Sequence, residues 1–294
     1  MKNTKDNLII DLHMHTNFSD GGCTLQQLFD NLHKQNVSVA SITDHNSIEA
    51  YKNLAGVQTY GIGLVKGMEC NVDFMGKHYH ILMYDFDDCP ALKKYLKVVR
   101  KDDIKFFKKL ISTLEKLYRL KFDKKAVEDF INNNTYLDKV RLNNFLMEQG
   151  LATSPRQAFF KFTKPLPDKL GYFYPAKKFF SLVKKSDAIS ILAHPNKYLA
   201  FLDNEQELKS IILQLKKMGL DGVEVFNNRQ TKEYEKIYLD FVKENNMEWS
   251  GGSDFHKKFG VIERKRLGHA IDHNISIDCY STKLRQLIFK AIGK

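Results

Sequence analysis

The chain has 294 residues, 43% of them hydrophobic and 28% charged, with a formal net charge of +11. That length and apolar content suffice for one large core, alone or with a sizeable insertion, and exclude a disordered or fibrous chain. No apolar run approaches a membrane span and the run near the start is too short for a secretion signal, so a soluble cytoplasmic protein is expected.

In chain order, NLIIDLHMH reads as a strand, and TLQQLFDNLHKQN follows as a helix with Thr24 as N-cap and Leu25, Leu28, Phe29 and Leu32 at helical spacing. VSVASITDHN is a second strand, SIEAYKNLA a short helix, and GIGLVKGMECNVDF a third strand. After it, HYHILMYDF continues past Met75-Gly76, a turn signal that predicts a hairpin. Residues 90 to about 175 lose the alternation and read as helices: PALKKYLKVVRKDDIKFFKKLISTLEKLYRL, DKKAVEDFINNN, DKVRLNNFLMEQG and SPRQAFFKF. Strand then helix returns with AISILAHP, NEQELKSIILQLKKMG, DGVEVFNN, TKEYEKIYLDFVKENN and MEWSGGSDFH. The pattern predicts an α/β fold with a parallel sheet closed into a barrel, made of 1–89 and 176–294, interrupted by a helical insertion over 90–175.

The charge is concentrated. Residues 91–180 hold 21 Lys or Arg against nine Asp or Glu, so the basic excess lies in the insertion while the remainder is near neutral. The four cysteines, at 23, 70, 89 and 279, show no CxxC spacing and read as reduced thiols.

Five strand ends carry side chains suited to metal ligation: His13, His15 and Asp20; Asp44 and His45; Glu69; His194; and Asp254 and His256. In barrel-like α/β folds such ends converge on one face. Residues i and i+2 of a strand share a face, so His13 and His15 can hold one ion between them. Imidazole and carboxylate accept Mn, Fe and Zn alike, with Mn the expected ion. Asp44 reads as a carboxylate that orients a ligating imidazole or holds the structure, in preference to a ligand. A two-residue hairpin loop pairs Phe74 with Lys77, Asp73 with His78 and Asn71 with His80, which brings His80, one pair nearer than His78, beside Glu69.

These motifs together resemble the PHP (polymerase and histidinol phosphatase) phosphoesterases. The resemblance rests on DLHMHTNFSDG, SITDHN, GMEC with a His eleven residues later, ILAHPNKY, GLDGVEVF and GGSDFH. It implies a distorted seven-stranded β/α barrel with three divalent ions: one held by His13, His15, Glu69 and Asp254, a second by Glu69, His80 and His194, a third by Asp20, His45 and His256. Within the family the chain is similar to the branch of nucleoside 3′,5′-bisphosphate phosphatases that also act as 5′-to-3′ exonucleases on short RNA. RLNNFLMEQGLATSPRQAFFKF is similar to that branch's insertion segment, which implies that Arg141 holds the substrate phosphate. NNRQT replaces the branch's usual His after the VEVF strand, and KKFGVIERKRLG is looser than its usual tail.

The expected activity is therefore metal-assisted hydrolysis of a phosphate monoester, on a phosphorylated small molecule or a short oligonucleotide, with no Ser or Cys nucleophile. Lys197 and Arg229 read equally as phosphate contacts and as solvated charges. The lysine-rich helices read as a basic lid or as a solvated face. A histidinol-phosphate phosphatase would use the same ligands, a polymerase-associated module would bring a polymerase segment, and a non-catalytic metal-stabilised binding protein would need fewer ligands. Oligomeric state is not written in the sequence.

Overall fold

The computed structural model describes residues 8–166, 173–256, 269–270 and 273–294. In strand β1 (Ile9–Met14) the side chains alternate: Ile10, Leu12 and Met14 enter apolar clusters, while Asp11 and His13 take the opposite, equally buried face. Helix α1 (Leu25–Lys34) starts as expected, on a capping box between Thr24 and Gln27, and buries Leu25, Leu28, Phe29 and Leu32. Strand β2 (Val37–Ile42) and the short helix α2 (Glu49–Lys52) follow.

The stretch expected as one strand over 61–74 is broken into β3 (Gly63–Leu64) and β4 (Gly67–Phe74). The two halves serve different sheets: β3 pairs with β2, whereas β4 pairs with β5 (Lys77–Tyr84). The hairpin register is the one expected from Met75-Gly76, with Asn71 opposite His80, Asp73 opposite His78 and Phe74 opposite Lys77.

Helix α3 (Pro90–Tyr118) links two cores. Its first turns bury Leu92, Tyr95 and Val99 against β4 and β5, and its last turns bury Phe107, Leu110, Ile111 and Leu114 in a separate cluster. That second cluster is completed by α4 (Lys124–Asn133), α5 (Lys139–Glu148), α6 (Pro155–Ala158) and a π-helical turn over Phe159–Thr163. The helix expected from SPRQAFFKF thus widens at its second half.

The chain returns through β6 (Tyr174–Pro175), α7 (Ala176–Lys185), β7 (Ile189–Leu192), α8 (Glu205–Met218), β8 (Gly222–Asn227), α9 (Lys232–Glu244) and β9 (Glu248–Gly252), and ends in α10 (Thr282–Ala291). The loose segment KKFGVIERKRLG lies outside the described residues. The main strands form two sheets, in the orders β1-β2-β3 and β6-β4-β5-β7-β8-β9. Pairing within them is parallel except that β5 runs antiparallel to both β4 and β7, the result of entering the sheet through a hairpin. Single parallel bridges, His45 to Glu69 and Met14 to Phe255, link the two sheets, the first from the end of β2 to β4 and the second from β1 to the residues after β9.

Both junctions lie at candidate ligands, and one demands a glycine. A Cβ on Gly252 would collide with the Cβ and backbone of His13, because β9 passes directly beside β1. Gly252→Ala is therefore expected to lower stability by about 1–3 kcal/mol through overpacking against main chain. Thermal unfolding of the metal-free protein reads this, and an unchanged midpoint would show that the two strands separate freely.

Candidate metal centre

Glu69 occupies the middle of the site. It is fully buried, and its Oε2 lies 3.2 Å from His13 Nε2, 3.0 Å from His15 Nε2 and 3.4 Å from His45 Nδ1. Its Oε1 lies 2.8 Å from His80 Nδ1 and 3.0 Å from His194 Nε2. Asp254 Oδ1 approaches His13 and His15 at 3.5 and 3.6 Å. On the outer side, Asp20 Oδ1 lies 3.1 Å from His256 Nε2 and 3.9 Å from His45 Nε2. All nine residues expected as ligands are brought together.

The donor atoms fall into three overlapping groups, each within 4.8 Å: His13, His15, Glu69 and Asp254; His15, Asp20, His45 and His256; and His45, Glu69 and His80. The first matches the grouping the resemblance implies. The others share His15 and His45 more widely, and His194 joins the cluster through Glu69 without belonging to any of the three groups. The donor set fits divalent cations. Imidazoles outnumber what one carboxylate can satisfy, and His15 Nε2, Asp20 Oδ1, His45 Nδ1 and His194 Nδ1 are buried with no hydrogen bond among the described residues.

The electrostatics divide the imidazoles. Burial alone would lower His13 and His15, but Glu224 and Glu69 hold His13 well above its usual value, and Asp254 and Glu69 raise His15 to about 10. At His45, His80 and His194 burial wins and lowers them to about 4, 3 and 4, the neutral form that ligates metal. Burial would raise Asp20, Glu69 and Asp254, yet the surrounding histidines hold all three well below the usual carboxylate range. His194 and Asp254 adopt left-handed backbone, φ +32° and +50°, a strain that surrounding structure must enforce.

Glu224 was not singled out by sequence, and it orients the site. Its Oε1 lies 2.9 Å from His13 Nδ1, turning Nε2 toward Glu69, and its Oε2 accepts from the His194 backbone N–H at 2.7 Å and from Asn227 Nδ2 at 3.0 Å. Val223 and Val225 alternate with it into the core, so the carboxylate between them faces the other side, which the structure buries as well. Asp44, expected as an orienting or structural group and not a ligand, accepts from Thr16 N, Thr16 Oγ1 and Ser19 Oγ at 2.8, 2.6 and 2.5 Å. It shapes the loop that delivers Asp20.

The three expected phosphate contacts differ in placement. Arg141 is 8% exposed, and its guanidinium donates to the carbonyls of Ser19 and Asn17, at 2.9 Å from Nε and 2.6 Å from Nη2, pinning the same loop. Arg229 lies at the rim, its side chain 46% exposed, with Nε 3.2 Å from Asp254 Oδ2. Lys197 follows the His194 turn with its chain exposed; partial enclosure of the ammonium lowers its pKa against the pull of Glu69 and Asp254. His78 stands away from the cluster, its ring stacked on Phe173 at 3.5 Å.

A buried His and carboxylate cluster at strand ends of an α/β fold defines a metal-dependent phosphoesterase once the relatives are considered. A PHP domain model matches residues 11–223, and the chain belongs to that family. It is 26% identical over 277 residues to a 5′-3′ exoribonuclease of Haemophilus influenzae, covering 89% of this chain and 94% of the relative. It is 24% identical over 257 residues to a 3′,5′-nucleoside bisphosphate phosphatase of Chromobacterium violaceum, covering 84% and 87%. The fold matches a solved amidohydrolase structure from Chromobacterium violaceum, with bound sulfate and no metal, at TM-score 0.74 and 20% identity, over 95% of each chain.

Three substitutions test the geometry. His80→Ala should reduce metal affinity and turnover at least about tenfold, whereas His78→Ala should be mild; the reverse order in metal titration would reject the assignment. Glu224→Gln keeps the shape but removes the charge facing His13, and should weaken metal binding by about 10–100-fold. Wild-type metal content after dialysis against chelator would refute that role.

Proposed function

We propose that the chain hydrolyses the terminal phosphates of nucleotides in the cytoplasm, on nucleoside 3′,5′-bisphosphates and at the 5′ ends of short phosphorylated oligonucleotides. The observation that carries this reading is the convergence of five imidazoles on Glu69, flanked by Asp20, Asp254 and His256. The relatives named as exoribonuclease and bisphosphate phosphatase supply the substrate class.

In this reading His13, His15, Asp20, His45, Glu69, His80, His194, Asp254 and His256 would hold three divalent ions, with manganese the expected metal and Glu69 at the centre of the donor set. Bound there, such ions supply Lewis acidity toward the phosphoryl oxygens and lower the pKa of water. The chain's own residues do the rest. Glu224 fixes the His13 ring. Arg229 and Lys197 place two cations at the rim where a phosphate dianion enters. Arg141 takes part by holding the Asn17 and Ser19 carbonyls, and its charge lies against the loop that carries Asp20.

The bridges at His45–Glu69 and Met14–Phe255 support reading β1, β2, β4, β5, β7, β8 and β9 as a distorted seven-stranded barrel. The second apolar cluster supports reading 90–175 as an insertion with its own core, set over the barrel as a basic lid. Among the described residues no helix is long and apolar enough to cross a membrane.

The test is a substrate screen on chelated and metal-reloaded protein. Chelation should abolish hydrolysis and manganese restore it. Nucleoside 3′,5′-bisphosphate or a 5′-phosphorylated oligonucleotide should be turned over with higher kcat/KM than histidinol phosphate. A preference for histidinol phosphate would transfer the site to small-molecule metabolism, and a protein that binds no divalent metal would end the reading.

A further inference from the structure

The His45 ring is held unlike the other imidazoles of the centre. Glu224 fixes His13, Ser19 Oγ lies 3.4 Å from His15 Nδ1, His80 and His194 meet Glu69 Oε1, and His256 Nδ1 lies 2.9 Å from the Asp254 carbonyl. Among the described residues neither ring nitrogen of His45 makes a hydrogen bond: Nδ1 is buried and faces Glu69 Oε2 at 3.4 Å without one, and Nε2 stands 3.9 Å from Asp20 Oδ1. A metal-ligating imidazole ordinarily has such a partner, which sets its plane. His45 has rings instead. Its nearest ring neighbours are His15 at 4.7 Å, His80 edge-on at 4.9 Å, and Tyr136, stacked at 5.5 Å with the two planes 24° apart. His15 and His80 are themselves candidate ligands, whereas Tyr136 is not, and it comes from the helical insertion.

The segment that carries Tyr136 is fixed on both sides. Arg100 donates to the Thr135 carbonyl at 3.3 Å, and Thr135 Oγ1 donates at 2.7 Å to the Phe18 carbonyl, in the loop that delivers Asp20. Leu137 is buried in the insertion's own core, and Asp138 caps α5 by accepting from Arg141 N at 2.7 Å. With its neighbours held, Tyr136 has little freedom to leave His45. His45 in turn belongs to two of the three donor groups, the one with His15, Asp20 and His256 and the one with Glu69 and His80. The plane of this one ring therefore bears on both of them, and not on the group of His13, His15, Glu69 and Asp254.

We infer that Tyr136 is a positioning residue for His45: its ring holds the imidazole plane where the other ligands use a hydrogen bond, and the insertion thereby becomes part of the metal centre. The inference rests on the metal reading above and goes beyond it, because it makes the affinity for some of the ions depend on a side chain outside the barrel strands. A stacked aromatic contact is directional, and it constrains ring orientation without competing for the nitrogens that must face metal. That suits an imidazole shared between two donor groups, since a hydrogen-bond partner would occupy one of its two nitrogens.

Calorimetric titration of manganese into the chelated protein tests it. Tyr136→Ala should leave one binding step at wild-type affinity, that of His13, His15, Glu69 and Asp254, and weaken the others by about tenfold, the low end for loss of an orienting partner. Tyr136→Phe, which keeps the ring, should bind as wild type. With cobalt as the probe, the visible absorption of the alanine variant should keep one wild-type component and lose or shift the rest, a selective signature that general loosening of the fold would not give. Thr135→Val, at an exposed position and without the hydroxyl that grips Phe18, should weaken the same steps by a smaller factor, so the outcome does not hang on whether the alanine variant folds. Wild-type binding by Tyr136→Ala, equal weakening of every step, or a Tyr136→Phe protein as weak as the alanine one would overturn the inference. Ion binding and turnover are read separately: a wild-type protein that takes up no manganese overturns the inference together with the metal reading, whereas one that binds manganese and hydrolyses no nucleotide loses only the substrate reading.

Discussion

Glu69 is fully buried, and both of its oxygens face imidazole nitrogens delivered by β1, the end of β2, β5 and the turn after β7. An ionised carboxylate taken out of water carries a penalty of several kcal/mol even after relaxation, so this position is tenable only while opposite charge surrounds it. The fold meets that demand by geometry. A strand end fixes a Cα to within the pleat of its sheet, and strands that curve toward one another aim their last side chains at one point. Because no short segment could supply five such nitrogens, the site and the sheet are one construction. The strain at His194 and Asp254 lies at its margin, where chain leaving a strand must turn at once to keep its side chain in the cluster.

The loop from Thr16 to Asp20 is the part that the sheets do not hold. Three outside groups grip it: Asp44 takes the hydroxyls of Thr16 and Ser19, Arg141 takes the carbonyls of Asn17 and Ser19, and Thr135 Oγ1 donates to the Phe18 carbonyl. Arg141 belongs to α5, whose Leu142, Phe145 and Leu146 are packed into the insertion's own core. Displacement of that core would therefore be felt first at Asp20, and through it at His45 and His256. The apolar cluster remote from the chemistry thus reaches the site through the Arg141 guanidinium, with Thr135 and Tyr136 beside it.

What was legible in the sequence follows from how narrow the chemistry is. Only a few side chains ligate hard or borderline cations, so His13, His15, Glu69, His194 and Asp254 announce themselves at strand ends. The hairpin register was legible because Met75-Gly76 leaves room for one loop length, and distance along the shared face from Glu69 then separated His80 from His78. Glu224 was hidden by its setting: in VEVF a lone acid reads as the solvent side of a strand, unless the strand is known to be buried on both faces. The grip of Arg141 was illegible in principle, since backbone carbonyls carry no residue type to betray them. The break between β3 and β4 was hidden for a related reason, because strand propensity does not say which sheet each half will join.

Charge distribution is the remaining constraint. The centre collects carboxylates, with Asp20, Glu69, Asp254, Glu224 and Asp44 all within a few residues of its imidazoles, while the group it must receive is itself an anion. Bound divalent ions offset that repulsion at contact range, but at physiological ionic strength a fixed charge is screened beyond about 8 Å and does little to draw substrate from solution. Cations placed around the mouth can act earlier. The excess of 21 Lys or Arg over nine acids in residues 91–180 stands on helices anchored to the mouth by Tyr95, Thr135 and Arg141. Attraction at the rim and ligation at the centre are thereby assigned to different parts of the chain, so that lysines can be many and mobile where precision is not needed, and histidines few and fixed where it is.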